Sequence, residues 1–178
     1  MDPRTLRYTD MERYLSLSRV VTGEVMAATF AEWRRARSTC RGALVFLLRD
    51  LWPGAGWGVV DAHGRPKAAY WYLKRALQPV ALLATDEGVN GLALHLVNDG
   101  AERVDAELRL ELFRNGETPV GTGSRSVSVP ARGAIEVHAD ALLEGFRDLT
   151  YAYRFGPPGH DLVVATMMDR ASGARLGQ

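Results

Sequence analysis

The chain has 178 residues, 47% of them hydrophobic, so it carries enough apolar material for a core in one large or two small domains. With 22 Lys and Arg against 21 Asp and Glu, no net field draws it to nucleic acid or an anionic membrane, and neither is expected as a partner. A single cysteine, Cys40, excludes an internal disulfide.

No apolar run approaches the roughly 20 residues of a membrane span, and "MDPRTLRYTDMERY" lacks the basic-then-apolar order of a signal peptide. The expectation is a soluble chain with no targeting signal within it; its compartment is not written there. Residues 9–37 read as helical. Tyr14, Leu17, Val21, Val25 and Ala28 fall on one face and Met26, Phe30 and Trp33 on a neighbouring one, which implies packing on two sides. Thr9 or Asp10 can cap the start, and Gly23 is a point where the stretch can divide. Cys40, beside Arg41, admits two readings, a reactive thiol or a small buried hydrophobe, and the second is the expectation.

Residues 43–48, Ala-Leu-Val-Phe-Leu-Leu, do not alternate, which is the pattern of a strand buried on both faces. Such a strand needs neighbours. After a Trp-, Pro- and Gly-rich loop, residues 66–77 read as a helix with Pro66 in its first turn and Ala69, Tyr72, Leu73 and Ala76 as its stripe. Pro79 marks a boundary, and beyond it the period becomes two. Val104, Ala106, Leu108, Leu110 and Leu112 point one way while Asp105, Glu107, Arg109 and Glu111 point the other. Similar runs at 80–84, 92–98, 124–129, 134–139, 149–155 and 162–168 complete a sandwich of short strands, with Asn90-Gly91, Asp99-Gly100, Asn115-Gly116 and Pro158-Gly159 as turns. A last hairpin begins at residues 171–173, and its return strand stops almost at once. The chain reads as cut short at both ends.

The ordered set Gly42-Ala43-Leu44-Val45, Asp50-Leu51-Trp52-Pro53, Trp57, Val60-Asp61, Gly64-Arg65-Pro66-Lys67, Ala69-Tyr70 and Leu73-Lys74-Arg75-Ala76 resembles the end of the catalytic barrel in β-mannosidase-like enzymes of glycoside hydrolase family two. The resemblance is close over residues 42–77; over residues 79–178 it is one of architecture. It implies an α+β composite. Residues 1–78 would be a helix–strand–helix remnant of the last repeat of a (β/α)8 barrel, and residues 79–178 an immunoglobulin-like antiparallel β-sandwich. Residues 43–48 would be the eighth barrel strand. Many relatives carry Trp-Gln-Leu-Asn-Asp where this chain has Phe46-Leu47-Leu48-Arg49-Asp50, which keeps the acid and lacks the tryptophan and the polar pair.

The family implies a retaining, exo-acting glycosidase with two glutamates at barrel strand ends, a pair held roughly 5–5.5 Å apart. Both positions would fall before Met1. This chain would then supply no catalytic residue and be inactive alone, with the remainder of the barrel as its partner and a β-linked oligosaccharide reached through the parent enzyme. Functional groups in barrels lie at strand C-termini, which makes Arg49, Asp50, Trp52 and Trp57 the candidate substrate-lining residues: an indole stacks on a sugar face, and Asp or Arg bonds its hydroxyls. Their ordinary reading is packing for the tryptophans and local ion pairs for Arg49 and Asp50. Glu12, Glu24 and Glu32 are helical, and Glu107 with Glu111 belongs to a wet strand face, so none forms an acid/nucleophile pair. His63, His95, His138 and His160 are scattered, and neither metal nor cofactor is expected. The alternative is a non-catalytic carbohydrate-binding or domain-docking sandwich module. Against it, the parity of residues 149–155 sends Tyr151, Tyr153 and Phe155 to the core.

Overall fold

The computed structural model describes residues 2–40 and 42–178. Arg41 lies outside the described residues, and with it the Cys40–Arg41 pairing; Cys40 is half-buried, its Sγ donating to the Gly42 carbonyl at 3.3 Å. The chain forms two compact units, Met1–Trp33 with Thr39–Leu77, and Arg34–Ser38 with Gln78–Gln178. Among the described residues, no helix is long and apolar enough to cross a membrane.

In the first unit, α1 spans Pro3–Thr9 and α2 Met11–Arg34. Asp2 Oδ1 accepts the Arg4 N–H at 3.0 Å to open α1, and Asp10 Oδ1 accepts the Arg13 N–H at 3.0 Å to open α2. Of the two expected caps, Asp10 is used, because Thr9 is the last residue of α1. Gly23 does not divide α2. It is buried, and a Cβ added there would enter the Tyr72 ring of α3, which spans Ala68–Ala76. The glycine thus marks close helix–helix approach and not a break. Pro66 stands just ahead of α3 and not in its first turn, with Lys67 at the N-cap.

A small core joins Phe30, Val59, Ala69, Leu73 and Ala76, with Met26, Val45, Val60 and Tyr70 packed against it. It uses one of the two expected α2 faces. On the other, Leu17, Val21 and Val25 are exposed. Residues 43–48 do not form the strand expected of them. Leu44 is 98% exposed, Phe46 73% and Leu48 70%, while Val45 turns inward. Pairing is confined to the last residues of the run: Val59 N–H reaches Leu47 O at 3.3 Å, Arg49 forms a parallel bridge with Val60, Val60 N–H reaches Leu48 O at 2.9 Å and Asp50 N–H reaches Val60 O at 3.0 Å. A strand buried on both faces needs sheet neighbours and a layer on each side. Among the described residues this unit supplies a short edge and one layer.

In the second unit, seven strands occur among the described residues: β1 Val80–Asp86, β2 Leu92–Asn98, β3 Val104–Arg114, β4 Thr118–Val129, β5 Gly133–His138, β6 Leu162–Asp169 and β7 Arg175–Gly177. They make two antiparallel sheets, ordered β1-β2-β5 and β4-β3-β6-β7. Leu94 and Leu96 of the first sheet share one core with Leu108, Leu110, Leu112 and Met167 of the second, giving a β-sandwich. Along β3 burial alternates as the sequence requires. The β3–β4 turn has Asn115 at φ 55° and Gly116 at φ 71°, the two positive values of a type I′ hairpin. Strand β2 is buried almost end to end, and its His95 Nε2 lies 2.8 Å from the Thr85 hydroxyl.

Two strand expectations change. β4 begins at Thr118, ahead of the expected residue 124, because Pro119, Gly121 and Gly123 disguise its first half. Gly123 lets the Leu142 carbonyl approach the strand where a Cβ would collide with it. Residues 149–155 are not a strand. The Asp148 carboxylate accepts the N–H groups of Ala152, Tyr153 and Arg154 at 2.9, 2.8 and 3.3 Å, and it takes donors that a ladder would have used.

Candidate functional site

The loop of residues 50–67 is organised around a buried carboxylate. Asp50 is 6% exposed. Its Oδ1 accepts the Gly58 N–H at 2.7 Å, and its Oδ2 pairs with Lys67 Nζ, which also donates to Gly56 O at 3.0 Å. Glycine is required at both backbone positions, since a Cβ on Gly56 or Gly58 would run into Asp50. The Lys67 hydrogen bond, with the Gly58 amide, holds the Asp50 carboxyl below its usual range against the opposing effect of burial.

The neighbouring turn has its own anchor. Asp61 accepts the N–H groups of His63 and Arg65 at 2.9 and 2.8 Å and the Arg65 Nε at 2.7 Å. These bonds, the Arg65 amide first, lower the Asp61 pKa. Arg49 Nη2 reaches Ala62 O at 2.5 Å and ties the end of the apolar run to the same turn. Asp50, Asp61 and Arg49 therefore spend their bonds within the loop. Trp52 and Trp57 do not: they are 70% and 77% exposed, with Leu51 at 81%.

Of the sequence candidates, the fold brings Arg49 and Asp50 into the framework of the loop and leaves Trp52 and Trp57 on its outside. What such an arrangement can do is expose two indole rings, on a loop whose backbone is fixed by a charged clamp, to a ligand with an apolar face. Lys67, Gly56 and Gly58 are part of this clamp and were not singled out as site residues. The signal available for them was the pairing of one buried-type Asp after an apolar run with two glycines and a lysine downstream. Among the other carboxylates, Glu12 and Glu24 are exposed on α2, Glu107 is exposed on β3, and Glu111 accepts from Arg109 at 2.7 Å.

No protein-family model matches the chain. Over 77 residues it is 43% identical to "Beta-mannosidase B" of Aspergillus niger and 40% identical to the protein of the same name from Aspergillus terreus. Each match takes in 42% of this chain, which covers 9% of the length of those relatives. The fold is similar to that of Amycolatopsis orientalis exo-chitosanase CsxA, at TM-score 0.69 and 17% identity over 94% of this chain and 18% of that one. It is also similar to β-D-mannosidase from Dictyoglomus thermophilum, at TM-score 0.66 and 20% identity over 90% of this chain and 18% of that one. Sequence relatives and fold neighbours thus agree, and the chain's resemblance is to a part of a β-mannosidase-like glycoside hydrolase.

Proposed function

We propose that this chain is the C-terminal part of a retaining, exo-acting glycoside hydrolase of the β-mannosidase type, inactive alone. In this reading residues 43–48, which are not a strand in this chain by itself, would become the closing strand of a (β/α)8 barrel once neighbouring strands pair with them, and α3 is the helix that follows. The remaining barrel repeats are the partner, and they cover Leu44, Phe46, Leu48 and the open face of α2. The observation that carries the reading is the identity to the β-mannosidases B combined with those uncovered apolar faces. A lone globular unit has little reason to leave alternate residues of an apolar run in water.

Trp52 and Trp57 then form part of the rim that receives a β-linked sugar, with Arg49 and Asp50 as the supports that fix the rim. The acid and the nucleophile come from elsewhere in the parent. The sandwich is immunoglobulin-like: a three-strand and a four-strand sheet in the order β1-β2-β5 and β4-β3-β6-β7 support that assignment.

The test uses p-nitrophenyl β-D-mannopyranoside. The isolated chain is expected to release no nitrophenol. A polypeptide extended through the upstream reading frame is expected to release it with retention at the anomeric carbon, and Trp52→Ala in that polypeptide to raise KM. Turnover by the isolated chain that disappears on replacing one of its own glutamates by Gln overturns the proposal.

A further inference from the structure

The segment that alternation assigned to a buried strand stands open on the sandwich unit. Phe146 is 66% exposed, Phe155 79% and Tyr153 43%. Tyr153 is the centre of the group: Phe146 meets it edge-on at 5.4 Å between centroids, and Phe155 stacks on it at 5.6 Å with 18° between planes.

These rings are held and not merely left over. The Asp148 carboxylate gathers three successive amides beneath them. The Tyr153 hydroxyl donates to Val89 O at 2.8 Å, and the Tyr151 hydroxyl donates to Gly156 O at 2.7 Å. Tyr151 and Arg154 adopt φ of 55° and 56°, a left-handed conformation that persists in non-glycine residues only where the surroundings over-determine it. With both phenol hydroxyls bonded to backbone carbonyls, the exposed area of these side chains is aromatic ring. Arg147 and Arg154, both exposed, stand beside them in sequence and carry hydrogen-bond donors only.

We propose that Phe146, Tyr153 and Phe155 form a carbohydrate-binding platform on the sandwich, distinct from the Trp52 and Trp57 rim. Its ligand is a β-linked oligosaccharide, one pyranose ring lying by its C–H face on the stacked pair while arginine donors reach its hydroxyls. An aromatic, rigid, hydroxyl-satisfied surface matches a flat amphipathic ring better than it matches an aliphatic protein patch. The choice of sugar as the ligand rests on the glycosidase reading; the platform rests on the ring geometry.

The experiment titrates the 178-residue chain with β-1,4-linked mannohexaose and, separately, with a chitosan hexamer, by calorimetry and by ring-proton NMR. Saturable binding is expected with at least one. Phe155→Ala and Phe146→Ala are each expected to weaken it about tenfold, a size set by loss of one stacking contact. Their unfolding midpoints should be unchanged, and Tyr8→Ala, which removes an exposed ring outside both sites, should bind as the parent chain does. Three results overturn the platform: no saturable binding by the unmodified chain; binding lost in Trp52→Ala but kept in Phe155→Ala; or sugar binding kept in Phe155→Ala while association with the upstream barrel polypeptide is lost, which marks a docking face. The nitrophenyl mannoside assay on the extended polypeptide fails or succeeds independently of these outcomes, so a wrong platform and a wrong parent enzyme are told apart.

Discussion

The two units use similar side chains to opposite effect. In the sandwich, Leu94, Leu96, Leu108 and Leu110 lose all their contact with water. In the helical unit, Val21, Leu44 and Leu48 keep more than half of theirs and Leu17 nearly half. Burial of a leucine contributes about 1.5–3 kcal/mol, so the first set stabilises its own unit while the second contributes little until something covers it. The lesson is that a chain can be read correctly as apolar-faced while its own fold leaves the face open.

The sharpest way to break this comparison is truncation in each unit. Leu110→Ala removes a side chain with no exposure from the sandwich core and is expected to cost about 2–5 kcal/mol in urea unfolding. Leu44→Ala, at 98% exposure, is expected to change stability by less than about 0.5 kcal/mol. Comparable costs would mean that residues 43–48 are covered in solution, by self-association or otherwise, and sedimentation velocity on the two variants would then separate those cases.

A smaller effect probes whether the helical unit has a specific core at all. Gly23→Ala improves intrinsic helix propensity by about 1 kcal/mol, yet its methyl must displace the Tyr72 ring, at about 1–3 kcal/mol for overpacking. Net destabilisation is expected in thermal unfolding followed by circular dichroism. Gly23→Ala with Tyr72→Ala should recover part of the loss relative to Tyr72→Ala alone. A plain gain from Gly23→Ala would show the α2–α3 contact to be loose.

The sandwich was legible because its information is local. Alternation over Val104–Arg114 and the Asn115-Gly116 turn each determine structure within a few residues, and the structure has both. The reading failed where a side chain overruled the pattern. Asp148 turned an alternating stretch into a loop, and Gly123 served a contact with Leu142 that lies far along the chain. The candidate site was half legible: strand-end position pointed to residues 49–57, whereas the division between exposed indoles and a buried Asp50 depends on Lys67 and Gly58, whose approach only the folded loop reveals. The family resemblance was legible because it rests on ordered residues, which do not require the fold to be complete.

That clamp offers a pH test. The Asp50 carboxyl is held below 3.8 in the folded chain, chiefly by Lys67. A depressed carboxylate contributes stability that is fully present above its unfolded value and lost as pH falls from 3.8 through the folded one. Proteolysis of the native chain between Leu51 and Trp57 is therefore expected to stay slow from neutral pH down to about 5 and to quicken at lower pH as the loop loses its clamp. In Asp50→Asn the loop should already be loosened at neutral pH, with faster proteolysis between Leu51 and Trp57, and the acid transition should shrink. An unchanged acid transition would move the titrating group elsewhere, Asp61 being the next candidate.

The smallest expected effect tests how far α2 depends on its cap instead of on packing. Asp10→Ala removes the acceptor for the Arg13 amide and should cost about 0.5–1 kcal/mol, at the low end for caps because the site is exposed. Asp10→Ser should retain most of it, since a hydroxyl oxygen can accept the same bond. The change is expected as frayed amides at the start of α2 in hydrogen exchange, with β3 amides unaffected. Protection lost evenly along α2 would instead indicate that a helix with one open face depends on its terminus throughout, and the contrast with the self-sufficient sandwich would become larger.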